Sequence, residues 1–271
     1  LVEAPGVQLV AAIGPLDPGS PGFRQQLDAL FETMARNKNS GSLPTAIPLH
    51  GVTAICARSG RSLDVWVPAA GGIPAGFVSS VSSAKMRAAR EVKNALEASF
   101  SEDLGSGFCF ADSFEDIGHS RGDESRMAVV HIDGNAMGER FKSQRELAGI
   151  RRLSDSVQDA VRKSFKELLA AIVKEWSGYG QEITPRQYGG KTVLPILPII
   201  IGGDDVTFVC PGRLGIDFAR IFVESLEKQK VSDGKTVAAC VGVAIVKAKF
   251  PFYRAYRLAE ELCSSAKNAA R

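Results

Sequence analysis

The stretch Pro198-Ile199-Ile200-Ile201-Gly202-Gly203-Asp204-Asp205-Val206-Thr207-Phe208-Val209 carries two adjacent carboxylates after a glycine pair, between two apolar, β-branched runs. The two runs predict strands that are buried on both faces, and Gly-Gly suits the tight turn of a hairpin. Asp204 and Asp205 would then project together from the edge of the sheet. Because two neighbouring carboxylates are costly to bury without a cation, the hairpin tip predicts a metal site.

The composition of the chain is that of an ordinary globular protein. Of its 271 residues, 45% are hydrophobic and 23% are charged, and the formal net charge is +3; these values argue against a disordered or membrane protein and do not announce a nucleic-acid binder. Residues 1–5 lack the features of a secretory signal, and no apolar run approaches the roughly 20 residues of a membrane-spanning helix. We therefore expect a cytoplasmic protein without membrane contact. Because the chain starts with Leu1 instead of Met, and residues 6–14 already resemble a strand inside a domain, we also expect an N-terminal truncation.

The cysteines indicate neither a disulfide framework nor a zinc site. They are odd in number and scattered without a C-x-x-C pair, so we predict reduced packing residues. The five positions are Cys56, Cys109, Cys210, Cys240 and Cys263.

Residues 1–100 predict a partial α/β domain, and the polar residues 101–125 predict a connection. The predicted elements of this first part are strands over residues 7–13, 52–56 and 64–67, a helix with Phe23, Leu27, Leu30, Phe31 and Met34 at helical spacing, and a helix over residues 85–100.

Residues 126–271 predict a second domain. It begins with a buried strand over residues 127–132, a short helix over 136–147, and a helix from Asp155 with Ser154 as N-cap and the apolar stripe Val157, Val161, Phe165, Leu168 and Ile172. A loop or mobile insertion over 177–191 leads to strands over 193–201 and 206–210, and then to a helix bearing Leu214, Phe218, Ile221, Phe222 and Leu226. The last elements are a strand over 237–247 interrupted at Gly242 and a helix over 254–270 with Ala255, Leu258, Ala259, Leu262 and Ala266 inward.

This order places an antiparallel hairpin among α-β crossovers. It predicts an α+β fold with a mixed antiparallel sheet and helices on one face, the ferredoxin-like or palm arrangement. In such a sheet the first strand can lie beside the hairpin, which would bring Asp133 to Asp204 and Asp205. Three carboxylates without cysteine ligands suit Mg²⁺ or Mn²⁺, and such ions can hold a triphosphate for in-line attack by a hydroxyl.

Glycines and a lysine complete the predicted site. Gly134, Gly202 and Gly203 would let a sugar or base approach the backbone, and Lys267 could neutralise the outer phosphates. Each feature taken singly has a plainer explanation: Asp133-Gly134 as a common turn, the hairpin tip as a solvated loop, and Lys267 as a surface lysine.

His131 lies two residues before Asp133 and therefore on the same strand face. A catalytic base is conceivable there. We favour a hydrogen-bonded structural histidine near a charged site.

Three segments together resemble a known family. They are Val130-His131-Ile132-Asp133-Gly134-Asn135-Ala136-Met137-Gly138, the Gly202-Gly203-Asp204-Asp205 turn, and the ending from Phe250 through Tyr256 and Glu260 to Lys267. Over residues 126–271 their order and spacing resemble the second palm domain of the large subunit of type III CRISPR effector complexes. Residues 1–100 more faintly resemble the remnant of a first palm and the linker between the palms. The palm is also similar to that of diguanylate cyclases with a Gly-Gly-Asp/Glu-Glu-Phe turn.

The resemblance implies ATP binding and metal-dependent joining of ATP into cyclic oligoadenylates, the second messengers of antiviral defence. Asp133, Asp204 and Asp205 would be the metal ligands and catalytic residues. The nucleotide would be bound by Gly134, Asn135, Gly202, Gly203 and Lys267.

The chain also departs from the family. It has no His-Asp dipeptide of the associated nuclease domain, no paired cysteines for a zinc site, and far fewer residues than a full effector subunit. We therefore expect a stand-alone or truncated relative.

The leading hypothesis is an ATP-using nucleotidyltransferase or cyclase, with a homodimer or a second palm supplying the acceptor nucleotide. One alternative is a non-catalytic nucleotide-binding scaffold subunit of an RNA-guided complex. Another is a diguanylate-cyclase-like enzyme that uses GTP, which the Asp-Asp ending of the turn makes the weaker option.

Overall fold

The computed structural model describes residues 10–40, 54–56, 59–69, 74–117, 125–183 and 186–270. The chain divides into two compact units, Leu1–Ser99 and Phe100–Arg271; we call the second the palm unit. Within the described ranges, no helix is both long and apolar enough to cross a membrane. The five cysteines are free thiols, and all but the half-buried Cys240 are buried.

The first unit contains helix α1 (Phe23–Asn39), strands β1 (Val65–Val67) and β2 (Gly76–Val78), which form an antiparallel pair, and helix α2 (Ser80–Ser99). The apolar positions of α1 are mostly not buried within this unit: Phe23 is buried, but Phe31 is 53% exposed.

Two predicted strands of the first unit fall partly outside the described residues. Residues 7–9 and 52–53 are outside them. Residues 10–13 form no strand, and Ile55 makes only an isolated bridge with Ser62. The strand predicted over residues 64–67 corresponds to β1.

The palm unit holds the remaining elements. In chain order they are α3 (Ser101–Leu104), β3 (Phe108–Cys109), β4 (Arg126–Gly134), α4 (Met137–Lys142), α5 (Leu147–Lys174), α6 (Trp176–Glu182), β5 (Gln187–Tyr188), β6 (Lys191–Val193), β7 (Leu197–Gly202), β8 (Asp205–Pro211), α7 (Gly215–Leu226), β9 (Ala239–Lys247) and α8 (Phe252–Ala269).

The main sheet has the strand order β7-β8-β4-β9, and every neighbouring pair is antiparallel. Read as first to fourth strands of a βαββαβ unit, β4, β7, β8 and β9 follow the order second, third, first, fourth, which is the ferredoxin-like arrangement. The predicted palm fold is therefore confirmed. A small sheet of β3, β6 and β5 lies in the same unit.

Helices cover both faces of the main sheet. On one face, α7 approaches so closely that a Cβ on Gly215 would overlap the Cβ of Ala128, and α5 packs beside α7. On the other face, Ala255 and Ala259 of α8 share a buried cluster with Val129 of β4. The prediction of helices on one face of the sheet thus holds for α5 and α7, whereas α8 forms a second helical layer on the other face.

Several local predictions need correction. Helix α5 begins at Leu147, so Ser154 is an interior residue and not an N-cap. Fully buried Leu153 lies four residues before Val157 and extends the apolar stripe toward the N-terminus. The stripe itself is confirmed, because the five residues predicted to form it are all buried.

The segment predicted as a loop over residues 177–191 contains α6 and β5. The predicted strand over 193–201 is in fact two strands, β6 and β7, in different sheets. β7 is an edge strand with Ile199 and Ile200 partly exposed, so it is not buried on both faces as expected. Pro198 suits this edge, since proline donates no ladder hydrogen bond.

The last strand and helix also differ in detail from the prediction. β9 continues through Gly242 without interruption. In α8, Leu258 and Leu262 are each 43% exposed instead of inward. Small residues face the sheet because a Cβ on Gly242 would overlap the Ala259 carbonyl oxygen, and such a close approach leaves no room for leucine.

Candidate functional site

Asp133 lies near the end of the central strand β4. Its Cα partners are Asp205 in β8 and Cys240 in β9, so it is held in the sheet from both sides. The carboxylate is half-buried. The predicted meeting of Asp133 with the hairpin therefore follows directly from the strand register.

The turn between β7 and β8 consists of Gly203 and Asp204, closed by the pair Gly202 and Asp205. Gly203 has φ +60° and Asp204 does not have a positive φ, which is the pattern of a type II′ hairpin turn with glycine first. The backbone N–H of Gly134 donates to the Asp204 carbonyl oxygen at 3.2 Å. This bond ties the turn to the end of β4.

Lys267 reaches the same point from α8. Its Nζ donates to the Gly134 carbonyl oxygen at 2.9 Å and forms an ion pair with Asp133 Oδ2. The lysine side chain is 22% exposed, so the ammonium is partly shielded but still open to solvent. The structure thus brings Asp133, Asp204, Asp205 and Lys267 together; we call the three carboxylates the acidic site.

His131 belongs to the same place. Its Nδ1 lies 3.0 Å from Thr207 Oγ1, and its ring makes a T-shaped contact with the ring of Tyr256 in α8, with centroids 5.6 Å apart. A ring nitrogen of His131 and carboxylate oxygens of Asp133 and Asp205 all lie within 4.8 Å of one another. Asp204 is beside this compact set and not within it.

The acidic site repels its own charges. Burial raises the pKa of Asp204 above its usual 3.8, and the charges of Asp133 and Asp205 raise it further, against its own backbone hydrogen bond and Lys267. Burial also raises the pKa of Asp205, with Asp133 adding to it and His131 and Lys267 opposing it. Both shifts mean that ionised carboxylates are held here at a cost.

The donor set fits a hard divalent cation. Three carboxylates face one ammonium, so a surplus of negative charge remains for a cation to offset. Carboxylate oxygens are the ligands that Mg²⁺ and Mn²⁺ prefer. The partly open position of the acidic site leaves room for waters or phosphate oxygens to complete the coordination.

The glycines of the predicted site differ in their surroundings. A Cβ on Gly134 would lie 2.7 Å from Asp204 Cβ, so the space beside Gly134 is taken by that side chain. No atom of the residues that the structure describes lies within 4 Å of a Cβ on Gly202 or Gly203, so these residues leave open space there. Asn135 is half-buried, and its backbone N–H donates to the Ala238 carbonyl oxygen at 2.8 Å.

A buried ion pair braces the segment that follows Asp133. Arg140 of α4 donates from Nε and from a terminal nitrogen to both oxygens of Asp233 at 2.8 and 2.7 Å, and it also donates to the Thr236 carbonyl oxygen. The two side chains are only 9% and 13% exposed. Arg140 lowers the pKa of Asp233, because the hydrogen bond favours the ionised carboxylate.

The sequence reasoning missed Thr207, Tyr256 and Glu260, all of which act on this site. Burial, Glu260 and Asp205 raise the pKa of Tyr256. One signal was present: Tyr256, Glu260, Cys263 and Lys267 follow one another at helical steps of four, three and four, which places them on one face of α8. Arg140 and Asp233 show no such local signal.

Comparisons with known proteins agree with this architecture. The family model of the second palm domain of Cas10/Cmr2 matches residues 126–271. None of the curated proteins compared with the sequence matches it significantly.

Several solved structures are similar to part of this chain at low sequence identity. Csm1 in T. onnurineus is 19% identical with a TM-score of 0.44, covering 59% of this chain and 22% of that one. A Csm1-Csm4 cassette in complex with one ATP is 20% identical with a TM-score of 0.43, and the match covers 58% of this chain and 21% of that one. The GGDEF domain of TpbB (YfiN) from Pseudomonas aeruginosa is 18% identical with a TM-score of 0.35, and the match covers 54% of this chain and 73% of that one.

The chain spans about a fifth of the length of the Csm1 chains that it matches. The family model, by contrast, covers just over half of this chain, in the part that holds β4, the hairpin and α8. The chain therefore belongs to the Cas10/Cmr2 family, through its second palm domain.

Proposed function

We propose that this protein is a metal-dependent nucleotidyltransferase or cyclase that uses ATP. The observation that supports it best is the meeting of a strand-end carboxylate, a hairpin pair of carboxylates and a helix-borne lysine at one end of a palm sheet. These are the groups that hold a cation and a triphosphate together.

Asp133, Asp204 and Asp205 are the residues proposed to hold Mg²⁺ or Mn²⁺. A bound ion supplies positive charge to the phosphate oxygens and lowers the pKa of the attacking hydroxyl. The raised pKa values of Asp204 and Asp205 favour this reading, because a carboxylate whose ionised form is disfavoured by its neighbours gains most from a cation.

Lys267 is proposed to stabilise the negative charge of the leaving pyrophosphate. It already makes two contacts, with Gly134 and Asp133, and an ammonium has three donors. One donor therefore remains for a phosphate oxygen even while α8 stays tied to β4. The open space at Gly202 and Gly203 is the proposed approach for the nucleotide's sugar or base.

In the proposed reaction, the 3′-hydroxyl of one ATP attacks the α-phosphate of another. A new bond forms between the hydroxyl oxygen and α-phosphorus, the hydroxyl proton is released to solvent, and the bond from α-phosphorus to the pyrophosphate oxygen breaks. The acidic site serves one nucleotide, so a homodimer or a second palm would present the other. ATP as substrate, a cyclic oligoadenylate as product, and RNA-guided effector subunits as partners follow the family resemblance.

The test is a product assay. We expect that incubation with ATP and Mg²⁺ or Mn²⁺ yields linked adenylates detectable by mass spectrometry, and that GTP yields less. The double substitution Asp204→Ala/Asp205→Ala should abolish the product. Asp159→Ala, which removes an exposed carboxylate of α5 outside the acidic site, should leave the product unchanged.

Retained ATP binding without product under any of these conditions would instead support the non-catalytic scaffold. A larger yield from GTP than from ATP would support the diguanylate-cyclase-like alternative.

A further inference from the structure

We propose that His131 is a ligand to the cation of the palm, so that the site prefers Mn²⁺ to Mg²⁺. This inference rests on the proposed function, because it assumes a cation at Asp133 and Asp205. It departs from a ligand set of carboxylates alone, since it places one nitrogen among the ligands.

The first argument is proximity. A His131 ring nitrogen and one oxygen each from Asp133 and Asp205 lie within 4.8 Å of one another. This trio comes from adjacent strands, with Asp133 and Asp205 as direct Cα partners and His131 two residues earlier on the same face of β4. One ion placed among them could contact all three with small side-chain movements.

The second argument is orientation. His131 is only 6% exposed, and its Nδ1 lies 3.0 Å from the hydroxyl of fully buried Thr207, its cross-strand partner. Tyr256 fixes the ring further by an edge contact. Metal-binding histidines typically bond one ring nitrogen to a protein group and present the other to the ion, and here Nδ1 is the nitrogen already engaged.

The third argument is the state of the second nitrogen. Within the part of the chain that the structure describes, no hydrogen bond joins Nε2 to another residue. In the neutral imidazole whose Nδ1–H donates to the Thr207 hydroxyl, Nε2 carries the lone pair. The lone pair of a neutral His131 repels the nearby carboxylates unless a proton or a cation lies between them, and a divalent cation would serve all three groups at once.

The preference for Mn²⁺ follows from ligand chemistry. Imidazole suits transition metals, whereas Mg²⁺ takes oxygen ligands and holds its waters tightly. Two carboxylates and one imidazole therefore favour Mn²⁺, while Mg²⁺ could use the carboxylates without the histidine.

The test is electron paramagnetic resonance with Mn²⁺ alone as the probe. We expect Mn²⁺ bound to the unaltered protein to show electron spin echo modulation from a directly coordinated nitrogen. His131→Gln should lose the modulation and bind Mn²⁺ at least about tenfold more weakly, a change that loss of even an outer-shell partner can produce. Its Mg²⁺ affinity, measured by competition, should stay within about twofold.

The other two histidines of the chain provide the matched controls. His50→Gln and His119→Gln should both keep the nitrogen signal. Labelling the unaltered protein with ¹⁵N-histidine should change the modulation to that of ¹⁵N, and this arm is independent of whether His131→Gln folds.

The outcomes separate the two proposals. Tight Mn²⁺ binding without nitrogen modulation, or modulation that survives in folded His131→Gln, would overturn the role of His131 and leave the proposed function standing. Failure of the unaltered protein to bind Mn²⁺ at all, with or without ATP, would overturn both.

Discussion

At Gly134 the lack of a side chain is what admits Asp204 to the acidic site. A Cβ here would lie 2.7 Å from Asp204 Cβ and 3.0 Å from Met137 Cγ, both closer than ordinary contacts. Ala136, two residues on, has φ 57°, a conformation that costs a non-glycine residue about 1–2 kcal/mol. The backbone that follows Asp133 is therefore closely constrained by what packs against it.

Gly134→Ala should displace Asp204 and weaken both the fold and the site. We expect a loss of about 1–3 kcal/mol in the free energy of unfolding, the usual cost of overpacking, measured by urea denaturation, together with weaker Mn²⁺ binding. Gly138→Ala in α4 is the matched control, because its added Cβ would meet no atom within 4 Å in the described part of the chain. Equal stability and Mn²⁺ affinity in the two variants would contradict this account of Gly134.

The acidic residues of the site were predictable because each follows an apolar run that had to be a strand. For His131, the strand face was predictable from the sequence but the distance to Asp205 was not. Period two placed it on the face of Asp133, and the structural histidine that we favoured does have its hydrogen bond to Thr207. Its distance to Asp205 depends on the strand register, which no local pattern contains.

Among the elements, α8 and β9 together decide where Lys267 lies. A Cβ on Gly242 would overlap the Ala259 carbonyl oxygen and lie 2.7 Å from the Cys263 nitrogen. Both are backbone atoms, so no side-chain rotation could relieve the contact. Helix α8 can rest on the sheet, with Lys267 at Asp133, only because β9 has glycine at this position.

Gly242→Ala should push α8 away from the sheet. We expect a loss of about 3 kcal/mol or more in stability, at the upper end for overpacking, and weaker ATP binding because Lys267 moves with the helix. Thermal unfolding and equilibrium binding of ATP would measure the two effects. Gly178→Ala in α6, where an added Cβ would meet no atom of the described residues within 4 Å, should lower neither stability nor ATP affinity. Unaltered ATP binding by Gly242→Ala would show that α8 does not position Lys267.

The inward face of α8 could not be predicted from hydrophobicity alone. Leu258 and Leu262 are the larger apolar residues, yet they point outward, while Ala255, Ala259 and Cys263 face the sheet. The reason is the close approach at Gly242, which selects small residues. A glycine within a predicted strand is a known sign of close backbone contact, and we had interpreted it as an interruption.

On the scale of the whole molecule, the acidic site works against the stability of the palm. A carboxyl group whose native pKa is raised binds its proton more tightly when folded than when unfolded. The free energy of unfolding therefore falls as the pH rises from the usual value of 3.8 through the raised values of Asp204 and Asp205, and it stays lower above them.

Removing these charges should stabilise the cation-free protein. At pH 7, in the presence of a chelator, we expect Asp204→Asn/Asp205→Asn to raise Tm by a few degrees in differential scanning calorimetry. The gain should shrink as the pH falls through the raised native pKa values of the two carboxyls. Added Mn²⁺ should raise the Tm of the unaltered protein but not that of the variant.

Asp233→Asn provides a control of opposite sign. The lowered pKa of Asp233 adds stability above the usual value of 3.8, which is lost as the pH falls through the lowered native value. Because the substitution leaves buried Arg140 unpaired, we expect it to lower the free energy of unfolding by about 3 kcal/mol at pH 7.

A lower Tm for Asp204→Asn/Asp205→Asn than for the unaltered protein, without cation, would show that the acidic site does not destabilise the fold.

The overall architecture was largely predictable, because the order of strands and helices in residues 126–271 allows few ways of burying their apolar faces. The helical layer formed by α8, the edge position of β7 and the small third sheet were not, since each depends on contacts between distant segments. The ion pair of Arg140 and Asp233 joins residues 93 apart, and neither position stands out in the sequence.

The acidic site joins two parts that differ in their resistance to local unfolding: Asp133 on the central strand β4, and the turn at Gly203 and Asp204. Seven residues of β4 pair with β8 and all nine pair with β9, so its amide protons are released to solvent only when the sheet comes apart. The turn at Gly203 and Asp204 has no such double protection and can open at lower free energy. A ligand that bridges the two parts would therefore slow hydrogen exchange at the turn far more than at Asp133.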